Sequence, residues 1–157
     1  MDDFLGFILI TLIFILTLLL AKRFSAIANI LYVALIVRVT FLLIGHYIIP
    51  LPDSSGDAST FEGEAIIMSK IGFSNLIINY PGPGSGFLSW VMALLYSLFG
   101  ISALMIKSLS LFFGIGIVFF GWFVAREIWD KRSALKAAWI LALFPSLILY
   151  SCLTMRE

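Results

Sequence analysis

The sequence is poor in the residues that most often build metal sites and catalytic triads. Its 157 residues include a single cysteine, Cys152, and a single histidine, His46. One cysteine cannot form a disulfide within the chain, and one cysteine with one histidine cannot supply the ligands of a zinc site. No strand pattern precedes a glycine-rich segment, so no phosphate-binding loop is predicted. The formal net charge of +1 gives no indication of a nucleic-acid partner.

Charge is also scarce, and this shortage defines the class of protein. Only 12% of the residues are charged and 62% are hydrophobic, whereas soluble domains are about half apolar and about a quarter charged. The mean hydropathy is +1.11. The charges that occur are clustered and leave long apolar runs between them. We therefore predict an all-α fold, a polytopic transmembrane helix bundle in a single domain that covers residues 1–157.

Four apolar runs predict about four membrane spans: residues 4–20, 26–49, 101–128 and 137–153, the last interrupted by Pro145. A signal peptide is the alternative for the first run, but Asp2 and Asp3 stand where such a peptide would carry Lys or Arg. Residues 87–99 are apolar but too few to cross a bilayer, which favours a juxtamembrane helix. Gly114 and Gly116, in the third span, are interpreted as close-packing positions.

Residues 50–86 differ from the rest and predict an extracytoplasmic loop. Acidic residues are frequent here, and a short helix would place Asp57, Phe61, Glu64 and Met68 on one face. The basic clusters lie elsewhere, in residues 21–25 and 126–136. The positive-inside rule therefore makes those two segments cytoplasmic and puts the amino terminus, the 50–86 loop and Glu157 outside.

Arg38 lies near the middle of the second span, where an arginine costs about 2.5–3.5 kcal/mol on insertion scales. It should therefore face protein or water. One interpretation pairs it with a carboxylate or carbonyl of a neighbouring helix, and the other places it against a lipid phosphate. His46, near the outer end of the same helix, is interpreted as an interfacial residue.

Two extracytoplasmic features are candidates for chemistry: the loop around Asp57 and the carboxyl-terminal Arg156 and Glu157. A carboxylate at the mouth of a helix bundle can act as a general base towards a hydroxyl. It can also help to hold a divalent cation. The alternative is that the acidic residues of the loop are only solvated surface charges.

Five segments, in order, resemble the GT-C glycosyltransferases, the polytopic enzymes that include protein mannosyltransferases and the aminoarabinose transferase of lipid A. Residues 57–61 resemble the Asp-x-x-x-aromatic signature, and residues 80–84 the Tyr-Pro-Pro-Gly turn before a juxtamembrane helix. Residues 94–100 are similar to the end of that helix, 124–132 to the next cytoplasmic turn, and 144–151 to the span before a second acidic residue. Ala58, Gly82 and Ser85 depart from the family pattern, so the subfamily and the sugar stay open.

The resemblance implies a transferase that uses a polyprenyl-phosphate-linked sugar on the extracytoplasmic face of the bacterial plasma membrane. Asp57 would be the catalytic base, and Arg156 would balance the leaving phosphate or position a helix end. Glu157 and Glu64 would contact substrate, and Tyr80 would stack on a sugar or anchor the interface. No cofactor is implied, and a divalent metal is left open. The implied partners are the lipid-linked donor and the bilayer, with no nucleic acid and with any protein partners unspecified.

Family members are much longer than this chain, so we expect it to be the amino-terminal part of a larger enzyme and inactive alone. Two other functions remain open from the sequence. One is a small non-catalytic membrane subunit, and the other is a fragment of a transporter or flippase. Arg38 is the feature that best suits transport, because buried charge often marks a translocation path.

Overall fold

The structure, a computed structural model, describes residues 3–52, 57–82, 84 and 86–153, without the side chains of residues 57 and 58. Within these residues the chain forms eight helices and no strand, which confirms the all-α prediction. The helices are α1 Phe4–Arg23, α2 Ala28–Tyr47, α3 Asp57–Ser69, α4 Phe73–Ile78, α5 Phe87–Phe99, α6 Ala103–Ile128, α7 Lys131–Leu143 and α8 Pro145–Tyr150.

Three of these helices are long and apolar enough to cross a membrane: α1, α2 and α6. A helix of 20 residues is about 30 Å long, which matches the hydrocarbon core of a bilayer. They correspond to the first three predicted spans and indicate a membrane protein. Helix α1 continues to Arg23, beyond the predicted end at residue 20. Lys and Arg are good helix formers, so the helix can extend past its apolar run.

The fourth predicted span is divided into α7 and α8, neither of which is long enough to cross a bilayer alone. The division falls at Phe144, whose ψ of 119° is extended, directly before Pro145. A residue before proline is pushed out of the helical region. The predicted interruption at Pro145 is therefore confirmed, while a fourth crossing stays a prediction.

Helix α7 begins six residues before the predicted start at residue 137, because Asp130 caps it. The Asp130 carboxylate accepts hydrogen bonds from the backbone N–H of Arg132 (2.9 Å) and from the Ser133 hydroxyl (2.5 Å). These bonds, with the Ser133 hydroxyl contributing most, hold the pKa of Asp130 below its usual value. The cap therefore stays ionised at the helix start, where a negative charge is favourable.

The main core lies between α1, α2, α6 and α7. Helix α6 supplies its largest side chain, Trp122, and α7 contributes small residues at four-residue spacing, namely Ala134, Ala138 and Ala142, all fully buried. Small residues on one stripe let helix backbones approach closely, which is how helices associate inside a bilayer. A second core, made by α3, α4 and α5, packs against the first turns of α1 and α6.

Helix α5 ends at Gly100, as predicted, where the backbone adopts a φ of +90° that favours glycine. The first half of α5, including Phe87 and Met92, faces α6 and α8 across an apolar groove. Its second half, including Leu95 and Phe99, faces α6 and α1. Helix α5 therefore lies beside the first half of α6, with the groove between them, and its two ends face α8 and α1.

The prediction of a close-packing position is confirmed for Gly114 of α6 and is wrong for Gly116 among the described residues, and a matched pair of substitutions should separate the two. A Cβ on Gly114 would clash with the Ser151 Cβ and lie 3.2 Å from the Arg38 Nε, whereas a Cβ on Gly116 would meet no atom of the described residues within 4 Å. Overpacking costs about 1–3 kcal/mol, and replacing glycine by alanine in a helix gains about 0.5–1 kcal/mol.

We therefore expect Gly114→Ala to lower the free energy of unfolding by about 1–2 kcal/mol. Gly116→Ala should leave it unchanged or raise it by up to about 1 kcal/mol. Unfolding of the purified protein by SDS in mixed micelles, followed by circular dichroism, measures both. Equal effects of the two substitutions would contradict the packing of Gly114 against Ser151.

Candidate functional site

The acidic helix α3 is attached to α5 by two side-chain hydrogen bonds. The Ser89 hydroxyl donates to Glu64 Oε2 at 2.8 Å, and the Tyr96 hydroxyl donates to Glu62 Oε1 at 3.3 Å. Both donors are buried in α5. Burial, together with the neighbouring Glu62 carboxylate, raises the pKa of Tyr96 above its usual range, so its hydroxyl keeps its proton and remains a donor.

Apolar contacts complete the attachment of α3. Phe61 and Met68 pack against the same cluster as the buried Ala65. The face that the sequence predicts, with Phe61, Glu64 and Met68 together, is therefore the face that meets α5. Glu64 is exposed apart from its bond to Ser89, so a second carboxylate oxygen remains open to solvent.

Asp57, the predicted catalytic base, is the first residue of α3, and its side chain lies outside what the structure describes. Arg156 and Glu157 also lie outside the described residues. The predicted approach of the carboxyl-terminal pair to Asp57 therefore stays a prediction. In the described part of the chain, no three His, Cys, Asp or Glu side chains lie close enough together to bind one metal ion.

Tyr80 belongs to an aromatic cluster at the start of α5. Its ring centroid lies 5.0 Å from that of Trp90 and 6.4 Å from that of Phe87, both in edge-on geometry. The Trp90 indole N–H donates to the Leu76 carbonyl at 2.8 Å, which ties α4 to α5. Tyr80 is 49% exposed, and its half-exposed ring is compatible with both predicted roles, stacking on a sugar and anchoring the interface.

Arg38 is fully buried and is bound to backbone carbonyls of α7. Its guanidinium donates to the carbonyls of Ala142 at 2.8 Å and Leu141 at 3.0 Å. Leu141 needs such a donor, because Pro145, four residues later, has no N–H to offer. The interpretation that pairs Arg38 with a carbonyl of a neighbouring helix is confirmed. Direct contact with a lipid phosphate is not possible here, because no part of the side chain is accessible.

Cys152 packs beside this arginine as an ordinary buried side chain. Its thiol donates to the backbone carbonyl of Arg38 at 3.3 Å. The described residues at the end of the chain, 151–153, are all buried. They bring the carboxyl-terminal segment against α2. The sequence alone does not predict this contact.

A polar network that the sequence analysis missed joins the ends of three helices. Asp3 accepts a hydrogen bond from the Tyr47 hydroxyl at 2.9 Å and lies 3.3 Å from His46 Nε2, while Lys107 Nζ lies 3.4 Å from His46 Nδ1. The start of α1, the end of α2 and the start of α6 therefore lie together. The sequence contains one indication of this network, because all four side chains fall at the predicted outer ends of spans.

An apolar groove of about 510 Å³ lies between α5, α6 and α8. Its walls include Val91, Met92, Leu109, Phe113 and Leu147, and its polar lining is limited to a few hydroxyl groups. Such a groove suits a hydrocarbon chain, and it begins beside the aromatic cluster that contains Tyr80, since Phe87 belongs to both.

Comparisons of the chain with protein-family models, with curated proteins and with solved structures gave no match.

Proposed function

We propose that this chain belongs to a membrane glycosyltransferase that transfers a sugar from a polyprenyl-phosphate-linked donor to an acceptor on the extracytoplasmic face. One observation carries the proposal. Helix α3, which begins at Asp57, is bonded through Glu62 and Glu64 to α5, and α5 forms one wall of an apolar groove. A carboxylate at the water side of a lipid-accessible groove is the combination that a lipid-linked substrate requires.

The chemistry assigned to Asp57 is removal of a proton from the acceptor hydroxyl. As it loses its proton, the acceptor oxygen attacks the anomeric carbon of the donor sugar. The bond from that carbon to the phosphate oxygen breaks, and the polyprenyl phosphate leaves with the electron pair. A hydroxyl is a weak nucleophile until its proton is taken, so a positioned carboxylate assists the attack. Arg156 is proposed to pair with the leaving phosphate, whose oxygens suit a guanidinium.

The proposed topology puts residues 21–25 and 126–136 in the cytoplasm and α3 to α5 outside. The network of Asp3, His46 and Lys107 supports it, because it brings the start of α1, the end of α2 and the start of α6 to one side. The basic residues Lys22, Arg23 and Arg126 then lie at the opposite helix ends. We place this arrangement in the bacterial plasma membrane.

Arg38 no longer favours the transporter alternative. A residue on a translocation path would need access to the path, whereas the Arg38 guanidinium is enclosed and bonded to α7 carbonyls. No other described feature favours transport over sugar transfer.

The test is a transfer assay with membranes that carry the complete protein. Polyprenyl-phosphate-linked hexoses and pentoses with a radiolabelled sugar are added to vesicles whose extracytoplasmic face is accessible. We expect the label to leave one donor of the panel and to appear in an acceptor fraction, with no such change in membranes without the protein. Donors that all stay intact beside correctly inserted protein would reject the proposal.

A further inference from the structure

We propose that α4, with the end of α3 and the turn that leads to α5, is seated in the headgroup region of the bilayer that contains the spans. The inference is independent of the proposed function. It puts the second half of the predicted extracytoplasmic loop on the lipid surface, not in bulk water. The partner of this surface is phospholipid.

The first observation is the absence of charge. Residues 71–106 contain no Asp, Glu, Lys or Arg. At the usual share of about a quarter, a soluble segment of this length would contain about nine charged residues. Charge returns directly at both boundaries, with Lys70 on one side and Lys107 on the other.

The second observation is a continuous set of exposed apolar side chains on this uncharged segment. Leu76 faces the second core, so α4 is held in place, but Ile78 on the same short helix is 78% exposed. Ile71, in the turn before α4, and Ile67, in the last turn of α3 beyond Lys70, extend the set past the uncharged segment. The full set of exposed apolar residues is Ile67, Ile71, Phe73, Ile77, Ile78 and Tyr80. An exposed apolar surface of this kind marks a contact with protein or membrane.

The third observation is that three side-chain donors of the segment bind backbone carbonyls of the same segment and do not depend on water. The Asn75 amide donates to the Ile71 carbonyl at 3.0 Å, and the Asn79 amide donates to the Asn75 carbonyl at 2.9 Å. The Trp90 indole is bonded to the Leu76 carbonyl. An unsatisfied polar group is costly near hydrocarbon, so these internal bonds suit a lipid setting.

Lipid is favoured over a protein partner because the surface is continuous with the lipid-facing part of the spans. Helix α5 packs against the first turns of α1 and α6, so α4, packed on α5, lies at the level where those spans leave the bilayer. Tyr80 and Trp90 lie in contact at this level, which is where tyrosine and tryptophan concentrate in membrane proteins.

The experiment measures the depth of nitroxide labels in vesicles of phosphatidylcholine and phosphatidylglycerol. Ile78→Cys is made in a Cys152→Ala background of the full chain, labelled and reconstituted. The collision rates of the label with oxygen, which concentrates in lipid, and with a water-soluble nickel chelate are then compared. Lys131→Cys, at the exposed and charged start of α7, is the water-facing control, and Phe113→Cys on α6 is the lipid-facing reference.

We expect an oxygen-to-nickel collision ratio at Ile78 severalfold above that at Lys131 and below that at Phe113. A ratio at Ile78 equal to that at Lys131 would place α4 in water and overturn the inference. An immobilised label shielded from both reagents would mean that protein covers the surface, a second copy or another chain, and would overturn it as well. Circular dichroism of each labelled variant is the folding control. Unchanged helicity shows that the collision rates were measured on folded protein.

Discussion

Asp57→Asn is expected to reduce the rate of sugar transfer by about 10²–10⁴-fold, the usual contribution of a positioned general base. Asparagine keeps the size and shape of the side chain but cannot accept the proton of the acceptor hydroxyl. The loss should appear in the turnover rate with saturating donor. The affinity for the donor, whose polyprenyl chain is proposed to lie in the groove between α5, α6 and α8, should change little.

Helix α3 offers a matched control for this substitution. Glu62→Gln removes a carboxylate on the same helix, five residues away, but the amide oxygen can still accept the hydrogen bond from the Tyr96 hydroxyl. We expect transfer within a few-fold of the unaltered enzyme. Both variants should insert into the membrane in equal amounts, as measured by extraction and immunodetection.

Stability cannot account for the expected effect of Asp57→Asn. A carboxylate in the first turn of a helix contributes about 0.3–1 kcal/mol through the helix dipole, and asparagine serves as well as aspartate at a helix start. Near-normal transfer by Asp57→Asn would reject Asp57 as the base. An equal loss in Glu62→Gln would show that the attachment of α3 to α5, and not the charge of Asp57, limits the reaction.

The helices that the sequence predicts well are those with a local cause. Helix α5 has the predicted bounds of 87–99 because apolar residues lie between two glycines, of which Gly100 adopts a left-handed backbone. The hydropathy predicts too late a start for α7, because the apolar run begins at residue 137, whereas the cap at Asp130 starts the helix. Helix α4 was not predicted, since six residues are too few to show a helical period.

The contacts that assemble the site could not be predicted, because they join residues far apart in the chain. Arg38 was expected to need a partner, but nothing in one sequence identifies carbonyls 103 and 104 residues away. The approach of Asp3, His46 and Lys107 is equally non-local. The role of Asp57, by contrast, rests on a local motif, so it could be proposed from the sequence without these contacts.

Arg38→Met is expected to lower the free energy of unfolding by about 2–4 kcal/mol, since it leaves two carbonyls at the end of α7 without a donor, one buried and one partly buried. Each such group costs about 1–3 kcal/mol. A further contribution comes from the dissociated state, in which an isolated α2 would expose the arginine to lipid. Assembly with α7 relieves that exposure, so Arg38 favours the folded bundle although its presence in a span is costly.

Two further substitutions show whether the carbonyl bonds are responsible. Arg38→Lys keeps the charge, but its single ammonium lacks the planar fork that reaches both Ala142 and Leu141, so we expect about half of the loss. Arg23→Met removes an exposed arginine at the end of α1 and should change stability by less than about 0.5 kcal/mol. Unfolding by SDS in mixed micelles measures all three variants.

The Arg38 variants should also act at a defined place in the fold. The guanidinium holds the end of α7, and α8 and the buried Ser151 follow directly after the break at Phe144. Amide hydrogen exchange in Arg38→Met should therefore become faster at Ile148 and Ser151 and stay unchanged in the middle of α1. Arg38→Met with undiminished stability and unchanged exchange in α8 would mean that the break at Pro145 needs no cap. The close packing of Gly114 on Ser151 would then have to hold α8 in place alone.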